Sequence, residues 1–143
     1  MHNHARPQPP DTALTRPYWQ AAAEGRLVIQ HCTQCHQPRH YPRLMCARCH
    51  STAYRWLPVS GRGRIHSWTV THHAFHPAFK GELPYTLITV DLDEGVRSLG
   101  RWLGGEPSIG AAVQGRFRKV QEVPELVFEP WNPSGQPSQG ETT

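Results

Sequence analysis

Lysine is almost missing from this chain. Of its fifteen basic residues only Lys80 and Lys119 are lysines, and the rest are arginines. Cysteine is missing everywhere except between positions 32 and 49. No run of eighteen apolar residues exists, which excludes a membrane-crossing helix of ordinary length. The opening MHNHARPQPPDTALTRP lacks the apolar stretch of a secretory signal, so a reducing cytoplasm is the expected compartment. Apolar residues make up only 37% of the chain. That allows a modest core, to which a bound structural metal would add rigidity.

What is present is proline, glycine and arginine. Fourteen prolines and twelve glycines in 143 residues argue against long helices. A formal charge of +4 carried by arginine suits bidentate capture of phosphate or carboxylate and stacking on flat rings. A solvated basic surface accounts for the same composition, and nucleic acid is only one anionic partner among several.

Residues 1–15 and 132–143 are polar and proline-rich, and their composition predicts disorder. Between them, Pro17 stands where a first-turn residue belongs, Tyr18 to Glu24 carry a helical pattern, and Gly25 ends it. Two turns of helix are unstable alone, so Tyr18 and Trp19 must pack on this domain or on another chain. RLVIQH and YRWLPV read as short strands flanking the cysteine region. After Ser60 come five strand-like runs, from GRIHSWTVTH to ELVFEP, with no helix among them. In YTLITVDL, Ile88, Val90 and Leu92 alternate with Leu87, Thr89 and Asp91, the period of a half-buried strand. Gly95 marks a tight hairpin after it. Later, Val113, Gly115 and Phe117 share one face and Gln114, Arg116 and Arg118 the other. The expected fold is mostly β: a short N-terminal helix and a rubredoxin-like ribbon over 16–58, then a five-stranded OB-type barrel over 59–131.

The strongest chemical motif is Cys32-x2-Cys35-x10-Cys46-x2-Cys49. Each C-x-x-C turn presents two thiolates to one metal, and two turns complete a tetrahedral four-sulfur set. Such a set admits zinc or iron, and a structural role favours one zinc per chain. A catalytic zinc keeps an open position, and four cysteines leave none. His36 and His50 follow the second cysteine of each pair, where the backbone turns toward positive φ, and they read as turn residues. Adjacent His72 and His73 would point to opposite faces of a continued strand, so with His76 they read as loop histidines rather than a shared metal site. Phe75, Phe79 and Tyr85 on the same loop are more telling, as exposed aromatics at a barrel mouth suit a ligand or a partner protein. No nucleophile–base pairing, phosphate loop or paired-carboxylate setting stands out, so the residues give no reason to expect catalysis.

Taken in order, YWQAAAEGRL, the four-cysteine ribbon with its internal RHYPR, SGRGRIHSWTVTH, LPYTLITVDLDEGVR, IGAAV and a closing FEP resemble the acyl-CoA-associated zinc-ribbon/OB-fold family, the domain of unknown function 35 family. The likeness covers about residues 16–131; it departs in carrying histidine where the knuckles usually carry glycine. It implies a non-catalytic accessory protein for a thiolase-like enzyme of the lipid-transfer or aldolase type, or for a MaoC-like enoyl-CoA hydratase. Lipid or steroid side-chain metabolism is the implied setting. The partner would supply the catalytic residues, and the helix and barrel would dock on it and help enclose a CoA thioester. Tyr18 and Trp19, with Phe75, Phe79 and Tyr85, are then the expected docking residues. Arg62, Arg64, Arg97, Arg101, Arg116 and Arg118 lie on or near the barrel strands as a source of CoA contacts. The competing reading is a nucleic-acid-binding ribbon/OB module; the acidic end of YTLITVDLDEG and the scarcity of lysine count against it.

Overall fold

The computed structural model describes residues 4–134. Helix α1 (Arg16–Ala23) has proline in its first turn and ends where Gly25 takes φ 79°. It leads into a three-stranded antiparallel sheet of β1 (Val28–Cys32), β2 (Pro38–Arg39) and β3 (Tyr54–Pro58), with β1 in the middle. The sequence does not announce β2, which is two residues long and exists only because the first cysteine turn folds back on β1.

A closed barrel follows, built from β4 (Arg62–Thr71), β5 (Tyr85–Leu92), β6 (Arg97–Trp102), β7 (Ala112–Val120) and β8 (Val123–Pro130). Its order is β4-β5-β6-β8-β7, consistent with an OB fold. Every pairing is antiparallel except β6 with β8, which meet in parallel only at Arg101–Val127 and Trp102–Phe128. Between β4 and β5 the chain makes one short 3-10 turn, Pro77–Glu82, where the sequence suggests plain loop.

Ile88, Val90 and Leu92 all face inward, as their alternation requires. Phe128 sits at the centre, fully buried. Its ring needs Gly100 and Gly115, because a Cβ at either would come within 2.6 or 2.7 Å of it. Tyr18 and Ala21 of α1 belong to the same buried cluster as Ile29 of the ribbon and Phe128 of the barrel. The short helix is thus held by tertiary burial, and ribbon and barrel share one core through it.

Residues 4–15, read from composition as disordered, are tied down in the part described. Arg6 is 9% exposed, its guanidinium lies 2.6 Å from Glu82 Oε1, and its backbone amide donates to Gln121. Residues 1–3 and 135–143, which hold the remainder of the two stretches expected to be disordered, lie outside the described residues.

Candidate metal centre and partner-facing surfaces

The four cysteine sulfurs all lie within 4.8 Å of one another. Cys32 and Cys49 are 3.5 Å apart and Cys35 and Cys46 3.6 Å apart, sulfur to sulfur. Zinc–sulfur bonds of about 2.3 Å in a tetrahedron put sulfurs about 3.7 Å apart, so the set fits one zinc ion. Each knuckle is closed by a backbone hydrogen bond, from the His36 amide to the Cys32 carbonyl and from the His50 amide to the Cys46 carbonyl. Both histidines take φ 62°, the turn role their positions suggest, and neither joins the sulfur cluster. Two of the four thiolates are also favoured by the knuckle amides. Those of Cys49 and Arg48 bring the Cys46 thiol down to about 6, and those of Cys35 and Gln34 lower Cys32. The donor set is closed, so the metal it fits is structural.

The five aromatics expected to dock a partner are placed very differently. Tyr18 is 6% exposed and packs against Trp19, His40 and Phe117 within this chain, so its packing partner is its own domain. Trp19 is half-buried at the rim of the same cluster. Phe79 is covered by the Arg6 guanidinium, 4.7 Å from its ring, and Tyr85 by that of Arg101 at 4.3 Å. Phe75 alone of the five is fully presented, at 93% exposure. Leu44 and Met45, on the ribbon loop before Cys46, add exposed apolar surface that no sequence motif marks.

The arginines divide likewise. Arg101, expected to face a CoA ligand, is instead 8% exposed; it donates to Glu82 at 2.7 Å, and its Nε lies 3.1 Å from Glu125. Arg6 reaches both of these carboxylates and Arg118 reaches Glu125, making a sunken cluster of three guanidinium groups and two glutamates. Arg62 makes no ion pair among the described residues; its Nε donates to Gln114 Oε1 and it stacks over Trp131 at 4.5 Å, while Arg64 donates to the Gly110 carbonyl. Arg97 pairs with Asp91, and Arg116 with Glu129. The Arg97 guanidinium, more than the nearby His66, holds the Asp91 carboxyl below the usual carboxylate range.

Where β6 and β8 diverge below their short parallel contact, α1 and the ribbon loop fill the gap. A cavity of about 400 Å³ remains there, lined by Tyr18, Trp19, Tyr41, Leu87, Leu99 and Phe117 among others. The Tyr41 hydroxyl accepts the Leu99 amide that β8 leaves unpaired. Neither Tyr41 nor the cavity is visible in sequence, since it arises from a gap between strands far apart in the chain.

A closed four-thiolate ribbon joined through a helix to a five-strand barrel defines a zinc-ribbon/OB-fold protein. Two family models match consecutive parts of the chain: the ChsH2 rubredoxin-like zinc ribbon domain over residues 19–55 and the ChsH2 C-terminal OB-fold domain over 56–118. A solved structure named Ltp2-ChsH2(DUF35) aldolase superposes with a TM-score of 0.76 at 33% identity, covering 86% of this chain and 98% of that one. A DUF35 domain-containing scaffold protein of Methanothermobacter thermautotrophicus is 35% identical over 95 residues, 64% of this chain and 71% of the relative. The chain belongs to the ChsH2/DUF35 family. It is also 37% identical over 102 residues, 71% of its length, to a probable enoyl-CoA hydratase alpha subunit of Thermomonospora curvata. Over 127 residues, 86% of its length, it is 31% identical to the 3-oxo-4,17-pregnadiene-20-carboxyl-CoA hydratase alpha subunit of Mycobacterium tuberculosis. The chain spans only 31% and 38% of those two relatives.

Proposed function

We propose that this chain is a non-catalytic subunit of a cytoplasmic acyl-CoA-metabolising complex. It docks on a thiolase-like aldolase subunit or a MaoC-like hydratase and helps to hold the CoA thioester, with lipid or steroid side chains as the acyl group. The observation that carries this reading is the match across 98% of a chain in the structure named Ltp2-ChsH2(DUF35) aldolase. The scaffold name of one relative and the hydratase-subunit names of two others agree with it.

Phe75 is the docking residue of choice, because a ring at 93% exposure loses the most water-facing apolar area when covered. Trp19 and the Leu44–Met45 pair extend the apolar surface available to a partner. Arg62, Arg64 and Arg116 supply the phosphate contacts. Arg62 over Trp131 makes a flat cationic platform suited to an adenine ring. The metal stiffens the ribbon that presents part of this surface and takes no part in the reaction.

Turnover of an acyl-CoA thioester by the chain alone, by a candidate partner alone and by the mixture tests the assignment. The mixture is expected to turn over substrate faster than the partner alone, and the chain alone not at all. Turnover by the metal-loaded chain alone would place catalysis here and refute the reading. Salt-sensitive binding to single-stranded oligonucleotides, with no partner engaged, would favour the nucleic-acid module instead.

A further inference from the structure

A crevice of about 220 Å³ lies between the ribbon and the β5–β6 hairpin of the barrel, next to the α1 cavity, whose Tyr18 and Tyr41 pack on the crevice's His40. Its polar lining is Gln37, Arg39, His40, Arg43 and Arg97, with Cys46 at one side and no carboxylate among the lining residues. Arg39 is 6% exposed, yet among the described residues no carboxylate lies within ion-pair distance of it. It donates Nε to Gln30 Oε1 at 2.8 Å and one terminal nitrogen to the Arg43 carbonyl at 3.0 Å, and it lies over the Tyr54 ring. Its other terminal nitrogen is buried with no hydrogen-bond partner among the described residues, as are both ring nitrogens of His40.

Buried donors left without partners are costly, and a buried guanidinium without a counter-ion more so. Two residues of this crevice carry that cost, with two further arginines at its wall. Crevices between structural units are also where small ligands usually bind. Burial pushes the His40 imidazole down to about 4, so the ring is neutral near pH 7 and keeps one N–H to give. A metal-loaded four-thiolate set carries negative charge near Arg39, but Arg39 makes no hydrogen bond to any of the four sulfurs.

We infer that this crevice is an anion site for a phosphate group, with Arg39 and His40 as its floor and Arg43 and Arg97 as its mouth. Arg39 offers a planar guanidinium already fixed by Gln30, a geometry suited to a phosphate oxygen. Arg97 is partly neutralised by Asp91, so it closes over a bound group rather than anchoring it. Free phosphate and a phosphate borne by a larger molecule, such as the 3′-phosphate of CoA, share this chemistry.

The zinc-loaded full chain is titrated at constant ionic strength with inorganic phosphate, CoA, dephospho-CoA and chloride, following the Arg39 and Arg97 side-chain N–H resonances. Saturable shifts with inorganic phosphate and none with chloride are expected. Arg97→Gln and Arg43→Gln, at the rim and harmless to the core, should each weaken binding about tenfold. Arg26→Gln removes the same charge elsewhere and should change nothing. CoA binding that loses tenfold or more without its 3′-phosphate identifies a carried phosphate; equal binding of CoA and dephospho-CoA, both weaker than inorganic phosphate, identifies the free ion. Non-saturating shifts, shifts matched by chloride, or binding untouched by both rim variants would overturn the site. The inorganic phosphate arm needs no partner subunit, so its outcome stands apart from the fate of the proposed complex.

Discussion

Replacing Glu82 by glutamine keeps the size of the side chain and removes one charge from the sunken cluster of Arg6, Arg101, Arg118, Glu82 and Glu125. Glu82 receives Arg6 at 2.6 and 2.8 Å and Arg101 at 2.7 Å, and the side chains of both arginines are only 8% exposed. Without it, three guanidinium groups share the single carboxylate of Glu125. Breaking a fully buried pair costs about 3–5 kcal/mol. Glu82 is itself 29% exposed and Glu125 remains, which brings the expected loss to about 2–3 kcal/mol. At about 3 °C per kcal/mol for a chain of this length, the melting temperature should fall by about 6–9 °C. The assay is thermal unfolding of the zinc-loaded protein followed by circular dichroism. A double-mutant cycle with Arg6→Met then asks how much of the loss depends on the N-terminal segment; a coupling of about 1 kcal/mol or more is expected. A melting point within 2 °C of the parent, or no coupling to Arg6, would refute the claim that these charges anchor residues 4–15.

Metal analysis should return one zinc per chain, and Cys46→Ser or strong chelation should unfold the ribbon and aggregate the protein; a folded, zinc-free variant would contradict a structural metal. Gly115→Val should cost about 1–3 kcal/mol by pushing the Phe128 ring off its seat, read as a lower urea midpoint with unchanged slope. His40 titrates near 4 in the folded chain and near 6.5 when unfolded. The unfolded state therefore binds more protons, and in phosphate-free buffer stability should fall by up to about 3 kcal/mol as pH drops from 7 to 4. His40→Phe should flatten that slope, and an unchanged pH profile would remove His40 as its cause.

Much of the fold was legible because it rests on local rules. The cysteine spacing closes two turns on one metal, alternation in YTLITVDL shows which side chains face inward, and Gly95 permits the hairpin that follows. What stayed hidden depends on contacts between residues far apart in sequence. Arg6 reaches Glu82 across 76 positions and Glu125 across 119, so its segment looks disordered when composition alone is read. Arg101 has the pattern of an outward-facing strand residue, and only the fold-over of Glu82 and Glu125 buries it. Phe79 and Tyr85 appear exposed in sequence because the two guanidinium groups that cover them come from other elements. The crevice at Arg39 and His40 forms only when the ribbon leans on the β5–β6 hairpin, so no short motif could reveal it.

Light scattering coupled to size-exclusion chromatography, on the chain co-expressed with a thiolase-like aldolase subunit or a MaoC-like hydratase subunit, tests the docking role most directly. The account predicts a single heteromeric peak with one of them. Phe75→Ser should dissociate that peak while leaving the melting temperature of the free chain within about 1 °C, since a fully exposed ring contributes little to folding. Separate elution of the chain from both partners at micromolar concentration would contradict it.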